Sequence, residues 1–363
     1  MADASAGEGE RGEVGFETTH EVVVGDARSM DLAAGSVDLV VTSPPYPMIE
    51  MWDDDFASLS PAVADALDDA DGDAAFEAMH AVLDSVWAEL ARVLREGGIA
   101  CVNVGDATRK LGERFRRYPN AARITRAFED LGFASLPEVL WRKPTNSTNK
   151  FMGSGMLPTN AYVTLEHEHV LVFRKGGTRR FEPKSDRRYE SAYFWEERNE
   201  WFSDVWGDIT GEFQALDAAA DRDRSAAFPL EVPYRLVNMY SVYGDRVLDP
   251  FWGTGTTSLA ALVCGRDSVG YELDPGVADV FAERARQAPA LSRDLLAERL
   301  DRHRSFVAER RDAGESLSYE ADHYDFPVMT RQERRIRFYE VAAVEAADDG
   351  RAWRAQSVPY RPA

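Results

Sequence analysis

The stretch VLDPFWGTGTTSLAALVCGRDSVGYELD, residues 247–274, reads as a short apolar strand, a glycine turn, an apolar helix, a second strand and a closing acid. Gly253 and Gly255 place no Cβ between the backbone and a close-lying ligand. Glu272 ends the second strand 17 residues beyond Gly255, where a carboxylate can accept hydrogen bonds from two ribose hydroxyls. The third glycine of the dinucleotide fingerprint is missing and no Gly-Lys-Ser/Thr follows, so hydride transfer and a P-loop both fit poorly. The unit predicts a parallel sheet with its ligand at the carboxyl ends of the strands.

Working outward, the same strand-then-helix rhythm recurs. EVVVGD (21–26), VDLVVTS (37–43), GGIACVNVGD (97–106) and RVLDPF (246–251) are β-branched runs that end in Asp, Ser or Phe. Helical periodicity is predicted over 74–95, 119–131, 230–242, 256–265 and 276–288. SLPEVLW (135–141) and HEHVLVFRK (167–175) add two strands near one edge. Alternation of this kind specifies an α/β fold, a mostly parallel sheet with helices on both faces.

The chain carries 63 acidic against 42 basic residues, a net charge of −21, and only five of its basic residues are lysines. Lysine-poor acidity of this kind is characteristic of salt-in halophiles, where carboxylates keep a protein hydrated; it speaks to solubility and not to fold. No apolar run approaches a membrane span, and the acidic N-terminus has no apolar segment of the secretory type. The location expected is cytoplasmic, at the nucleoid. Cys101 and Cys264 lack metal or disulfide spacing and are expected as buried free thiols.

A second motif faces the first. VVTSPPYPMIEMW, residues 40–52, halts an apolar strand with two prolines and then presents a tyrosine. DPFWGTGTT and TSPPY together resemble the paired signatures of the amino-group DNA methyltransferases that use S-adenosylmethionine. The catalytic motif precedes the cofactor motif, the permuted order of that family's β group. GDARS (25–29), LREGGIACVNVGD (94–106), WRKP (141–144), HEHVLVFRK, SDVW (203–206) and FPLEVPYRLV (228–237) agree with the resemblance, which covers about residues 18–285. It extends to halophilic-archaeal modification methylases, including those of the CTAG type.

The resemblance implies a Rossmann-like methyltransferase fold with S-adenosylmethionine as cofactor and double-stranded DNA as partner. It implies cofactor contacts from Asp26, Thr42, Asp249, Pro250, Phe251, Gly253, Gly255, Thr256 and Glu272. Catalysis is assigned to Ser43, Pro44, Pro45 and Tyr46. An exocyclic amine is a poor nucleophile because its lone pair is delocalised into the ring. The Ser43 hydroxyl and the Pro44 carbonyl can accept its hydrogens and favour the attacking geometry. The prolines hold that carbonyl in place beforehand, and Tyr46 offers a face to a base that has left the helix.

Ser43 in place of Asp or Asn favours cytosine N4 over adenine N6, which stays open as the alternative, with a base-amino RNA methyltransferase behind it. Carbon-5 methylation fits poorly, since its cysteine nucleophile usually follows a proline and neither cysteine here does. No metal is required, and His167 and His169 are read as structural. The family's variable region for target recognition corresponds to about 176–226. Within it Arg179, Arg180, Arg187, Arg188 and Trp195 are expected to contact DNA; a second basic run, 109–126, is the other candidate surface. The organisation expected is an acidic tail (1–17), a methyltransferase domain (18–285) and a charged helical C-terminal extension (286–363). A homodimer and a cognate restriction enzyme, or an orphan enzyme without one, are all compatible with the resemblance.

Overall fold

A computed structural model describes residues 15–143, 152–209, 228–347 and 350–362. Residues 1–14 of the expected tail, Pro144 of WRKP and 210–226 of the expected recognition region fall outside the described residues. One ten-stranded sheet organises the chain. From one edge its strands are Val205–Trp206, Phe133–Arg142, His167–Lys175, Leu94–Val104, Val37–Thr42, Arg246–Asp249, Asp267–Glu272, Phe16–Val24, Ala352–Pro359 and Tyr339–Ala346. The five strands from Leu94–Val104 to Phe16–Val24 run parallel. His167–Lys175 lies antiparallel between two of its neighbours, Leu94–Val104 and Phe133–Arg142.

Val37–Thr42 is buried along both faces, as expected of a strand covered on each side. Alternation sends Leu39 and Val41 into one core with the helices Glu231–Tyr240, Thr256–Val263 and Ala278–Asp312. Val40 enters the other core, beneath the helices Gly72–Val93 and Asn120–Asp130. The first of these is capped by Asp71, whose side chain accepts from the N–H groups of Asp73 and Ala74 at 3.1 and 3.0 Å. Its Phe76, Met79, Leu83, Val86, Trp87 and Leu90 recur at helical spacing on the buried face.

The C-terminal reading needs correction. The long helix ends at Asp312, and the antiparallel hairpin formed by Tyr339–Ala346 and Ala352–Pro359 joins the sheet beside Phe16–Val24. Residues 286–363 therefore are not only a charged helical extension: they complete one edge of the sheet. Among the described residues no helix is long and apolar enough to cross a membrane. Both cysteines are buried and free.

Candidate active site

The carboxyl ends of four adjacent parallel strands deliver Thr42, Asp249, Glu272 and Val24 to one edge. There the two motifs, 207 residues apart, are joined directly: Thr42 Oγ1 donates to Asp249 Oδ1 at 2.6 Å. Thr257 Oγ1 adds a bond to the Val41 carbonyl at 3.2 Å. Asp249 is 4% exposed, and burial pushes its carboxyl up to about 6 against the donors from Thr42, Thr257 and the Phe251 N–H. A cation in the cavity beside it would favour the ionised form.

That cavity, of about 480 Å³, is lined by Asp26, Ser43, Pro44, Pro45, Asp249, Pro250, Phe251, Gly253, Thr256 and Glu272. These are all but three of the residues that the sequence assigned to cofactor and catalysis; Thr42, Tyr46 and Gly255 are each next in the chain to a lining residue. Gly255 takes a left-handed conformation (φ 74°) at the start of the helix, and a Cβ there would fall 2.5 Å from the Phe281 ring. Trp52, Phe56, Leu59, Val82 and Val86 give the cavity an apolar side. The carboxylates opposite suit a ligand with positive charge, hydroxyls and a flat apolar ring.

Glu272 is already engaged. Its Oε2 accepts from the Gly253 N–H at 2.8 Å, and its Oε1 from the N–H groups of Leu273 and Asp274 at 2.9 and 3.1 Å. A carboxylate has about four acceptor positions, so about one remains for a hydroxyl, where the sequence reading assigned two. Asp26 is held by Arg28, whose Nε and Nη2 lie 2.8 and 2.6 Å from Oδ2; this keeps its carboxyl below the usual range.

Tyr46 is 9% exposed and belongs to the core, so little of its ring face is open to a ligand. Its hydroxyl sits in a polar cluster: Ser43 Oγ at 3.1 Å, Glu168 Oε2 at 2.9 Å and Asn103 Nδ2 at 2.9 Å. Asn103 Nδ2 also donates to Glu168 Oε2 at 2.7 Å, and Lys143 Nζ to Glu168 Oε1 at 2.9 Å. Burial, then the Glu168 charge, push the Tyr46 phenol well above its ordinary value.

The expected DNA contacts are not brought to this edge. His167–Lys175 is antiparallel to its neighbours, so the chain leaving Lys175 emerges at the amino ends of the parallel strands. Arg179 pairs with Asp245 and Asp38, and Arg187 with Asp245 and the Tyr243 carbonyl. Asp38 lies five residues before Ser43 along an extended strand, roughly 17 Å away. These arginines neutralise Asp245, whose side chain is fully buried. Arg188 rests on Phe181, Arg180 is exposed nearby, and Trp195 starts the helix Trp195–Trp201 with its N–H on Glu333.

The basic surface at the catalytic edge is the hairpin of Ala107–Leu111 and Arg114–Tyr118, which follows directly from the strand ending at Val104. Arg109 is locked to Asp53 and Arg116 to Asp73, whereas Arg114 reaches Asp73 only at 4.0 Å with its side chain 80% exposed, and Lys110 is exposed. The sequence reading missed Asn103, Lys143 and the role of Glu168, and also the apolar cavity wall. Trp52, Phe56 and Leu59, spaced four and three apart within an acidic run, were the available sign of that wall.

Comparison with known proteins bears on this arrangement. Residues 37–283 match the N6/N4 methyltransferase family described as DNA methylase. The chain is 49% identical over 328 residues to the type II methyltransferase M.MthZI of Methanothermobacter thermautotrophicus, covering 89% of this chain and 91% of that protein. It is 47% identical over 283 residues to the type II methyltransferase M.MjaI of Methanocaldococcus jannaschii, covering 75% and 92%. Among solved structures it resembles TTHA0409, a putative DNA modification methylase of Thermus thermophilus, in complex with S-adenosyl-L-methionine. The TM-score is 0.58 at 34% identity, over 74% of this chain and 95% of that one.

Proposed function

We propose, from the premise that this chain belongs to the N6/N4 family of DNA methylases, that it methylates the N4 amine of cytosine in double-stranded DNA. At the coarser level it is a DNA methyltransferase that uses S-adenosylmethionine. The observation that carries the finer reading is Ser43, a neutral hydroxyl and not a carboxylate, on the wall of the cavity.

S-adenosylmethionine, when bound, supplies an electrophilic methyl group on a sulfonium. The residues fit it: Asp26, Asp249 and Glu272 complement its positive charge and hydroxyls, and Trp52, Phe56 and Leu59 offer cover for its purine. Asp249 and the loop from Pro250 to Thr256 would hold the methionine end, and Glu272 the ribose. Thr42 fixes Asp249 against the catalytic loop, so cofactor and base sites keep their relative position.

On the base side, the Ser43 hydroxyl and the Pro44 carbonyl accept the two amine hydrogens. This directs the nitrogen lone pair away from the ring and stabilises the positive charge that develops. The two prolines hold the carbonyl without reorganisation. The base reaches the site by leaving the duplex. DNA approaches the carboxyl edge, where Lys110 and Arg114 of the basic hairpin contact phosphates. The enzyme acts in the cytoplasm, at the nucleoid.

The test is chemical. Duplex DNA incubated with the protein and methyl-labelled S-adenosylmethionine is digested to nucleosides and separated by chromatography. Label in N4-methylcytosine supports the reading, and label in N6-methyladenine replaces it with the adenine alternative.

A further inference from the structure

A serine hydroxyl can donate or accept, yet the role given to Ser43 above requires it to accept, and nothing in the serine itself secures this. The hydrogen bonds behind it do. Tyr46 has one phenolic proton, and it is donated to Glu168 Oε2 at 2.9 Å. Glu168 is 9% exposed and has three converging donors: Tyr46 Oη and Asn103 Nδ2 on one oxygen, and Lys143 Nζ on the other. A carboxylate in that position only accepts. Asn103, itself 2% exposed, donates one amide hydrogen to Tyr46 Oη and the other to Glu168.

The phenol oxygen thus has its own proton committed and one lone pair filled by Asn103. The proton in its 3.1 Å contact with Ser43 Oγ must come from Ser43. With its hydrogen turned back toward Tyr46, Ser43 offers lone pairs to the cavity it lines. We propose that Glu168 is a positioning residue for methyl transfer: through Tyr46 it sets Ser43 as an acceptor for the hydrogens of the target amine. Lys143 and Asn103 hold Glu168 in place for that task. The inference rests on the reading of Ser43 given above.

Glu168→Gln tests it with little change of shape. Lys143 only donates, and its charge-assisted bond holds the amide oxygen on its side. The amide nitrogen then faces Tyr46 and donates to the phenol oxygen, Tyr46 turns its proton toward Ser43, and the Ser43 hydrogen is driven into the cavity where the amine hydrogens arrive. Methyl transfer is followed with tritiated S-adenosylmethionine on unmethylated plasmid DNA, enzyme in excess, counting label in DNA whichever base receives it. The expected result is a fall of tenfold or more in the transfer rate, with affinity for S-adenosylmethionine and for plasmid DNA within twofold of the parent.

Tyr46→Phe, which deletes only the hydroxyl, is expected to fall similarly and serves as the second arm should Glu168→Gln not fold. The discriminating readout is additivity. Combined with Ser43→Ala, either change is expected to cause no further loss, because both act through the serine. A parental rate in Glu168→Gln, or losses that multiply in the double variants, overturns the inference. A parental rate in Ser43→Ala alone overturns the reading of Ser43 instead.

Discussion

Replacing Glu272 with Gln keeps the side chain's size and removes its charge, and the cost follows from the bonds it makes. The carboxylate accepts from Gly253 N–H on one oxygen and from Leu273 and Asp274 N–H on the other. An amide has one acceptor oxygen. If that oxygen keeps the bonds to Leu273 and Asp274, the amide nitrogen faces the Gly253 N–H, donor against donor. The glycine loop then loses its tie to the end of the strand Asp267–Glu272, and the ribose loses a charged acceptor. One charge-assisted hydrogen bond contributes about 1.5–3 kcal/mol, so S-adenosylmethionine should bind roughly 10- to 150-fold more weakly. Calorimetric titration of both proteins at neutral pH measures this. A dissociation constant within threefold of the parent would refute the assignment of Glu272 to the cofactor.

The cofactor site should also respond to pH through Asp249, whose carboxyl is raised to about 6 by burial. A raised acid holds its proton below that pH. A cationic ligand favours the ionised form, so S-adenosylmethionine affinity should fall as pH drops through about 6, by at most about tenfold per unit; Asp249→Asn should bind more weakly and lose this pH dependence. Lys110→Ala with Arg114→Ala should lower DNA affinity and flatten the slope of log affinity against log salt by about 2, while Arg187→Ala with Arg188→Ala should leave both unchanged; filter binding across a salt series compares them. Tyr46→Ala should cost about 3–5 kcal/mol of stability through the cavity it leaves, seen as a lowered urea midpoint, and a loss under about 1 kcal/mol would contradict its place in the core.

Much of the site was legible because its residues carry backbone signals. Prolines at 44 and 45 and glycines at 253 and 255 mark turns wherever they occur, and β-branched runs before them mark the strands. What the sequence hid was direction and distance. The basic and aromatic residues 179–195 follow a strand read as an edge strand, but only its antiparallel sense reveals that they emerge at the far end of the sheet. Glu168 stands between two histidines that draw attention as metal-like neighbours. Its partners come from distant parts of the chain, with Asn103 reaching it because Leu94–Val104 pairs with His167–Lys175. The C-terminal hairpin was masked by composition, since YEVAAVEA mixes strand alternation with helix-forming Ala and Glu.

Ser43 is proposed to direct methyl transfer to cytosine N4, and one measurement addresses that most directly. The parent chain and Ser43→Ala are expressed separately in a host without DNA methylation of its own, and the genomes are read by single-molecule sequencing that reports modified bases. N4-methylcytosine is expected throughout the copies of one short sequence with the parent, and none with Ser43→Ala. N6-methyladenine in its place, or a mark that persists without the Ser43 hydroxyl, would contradict it.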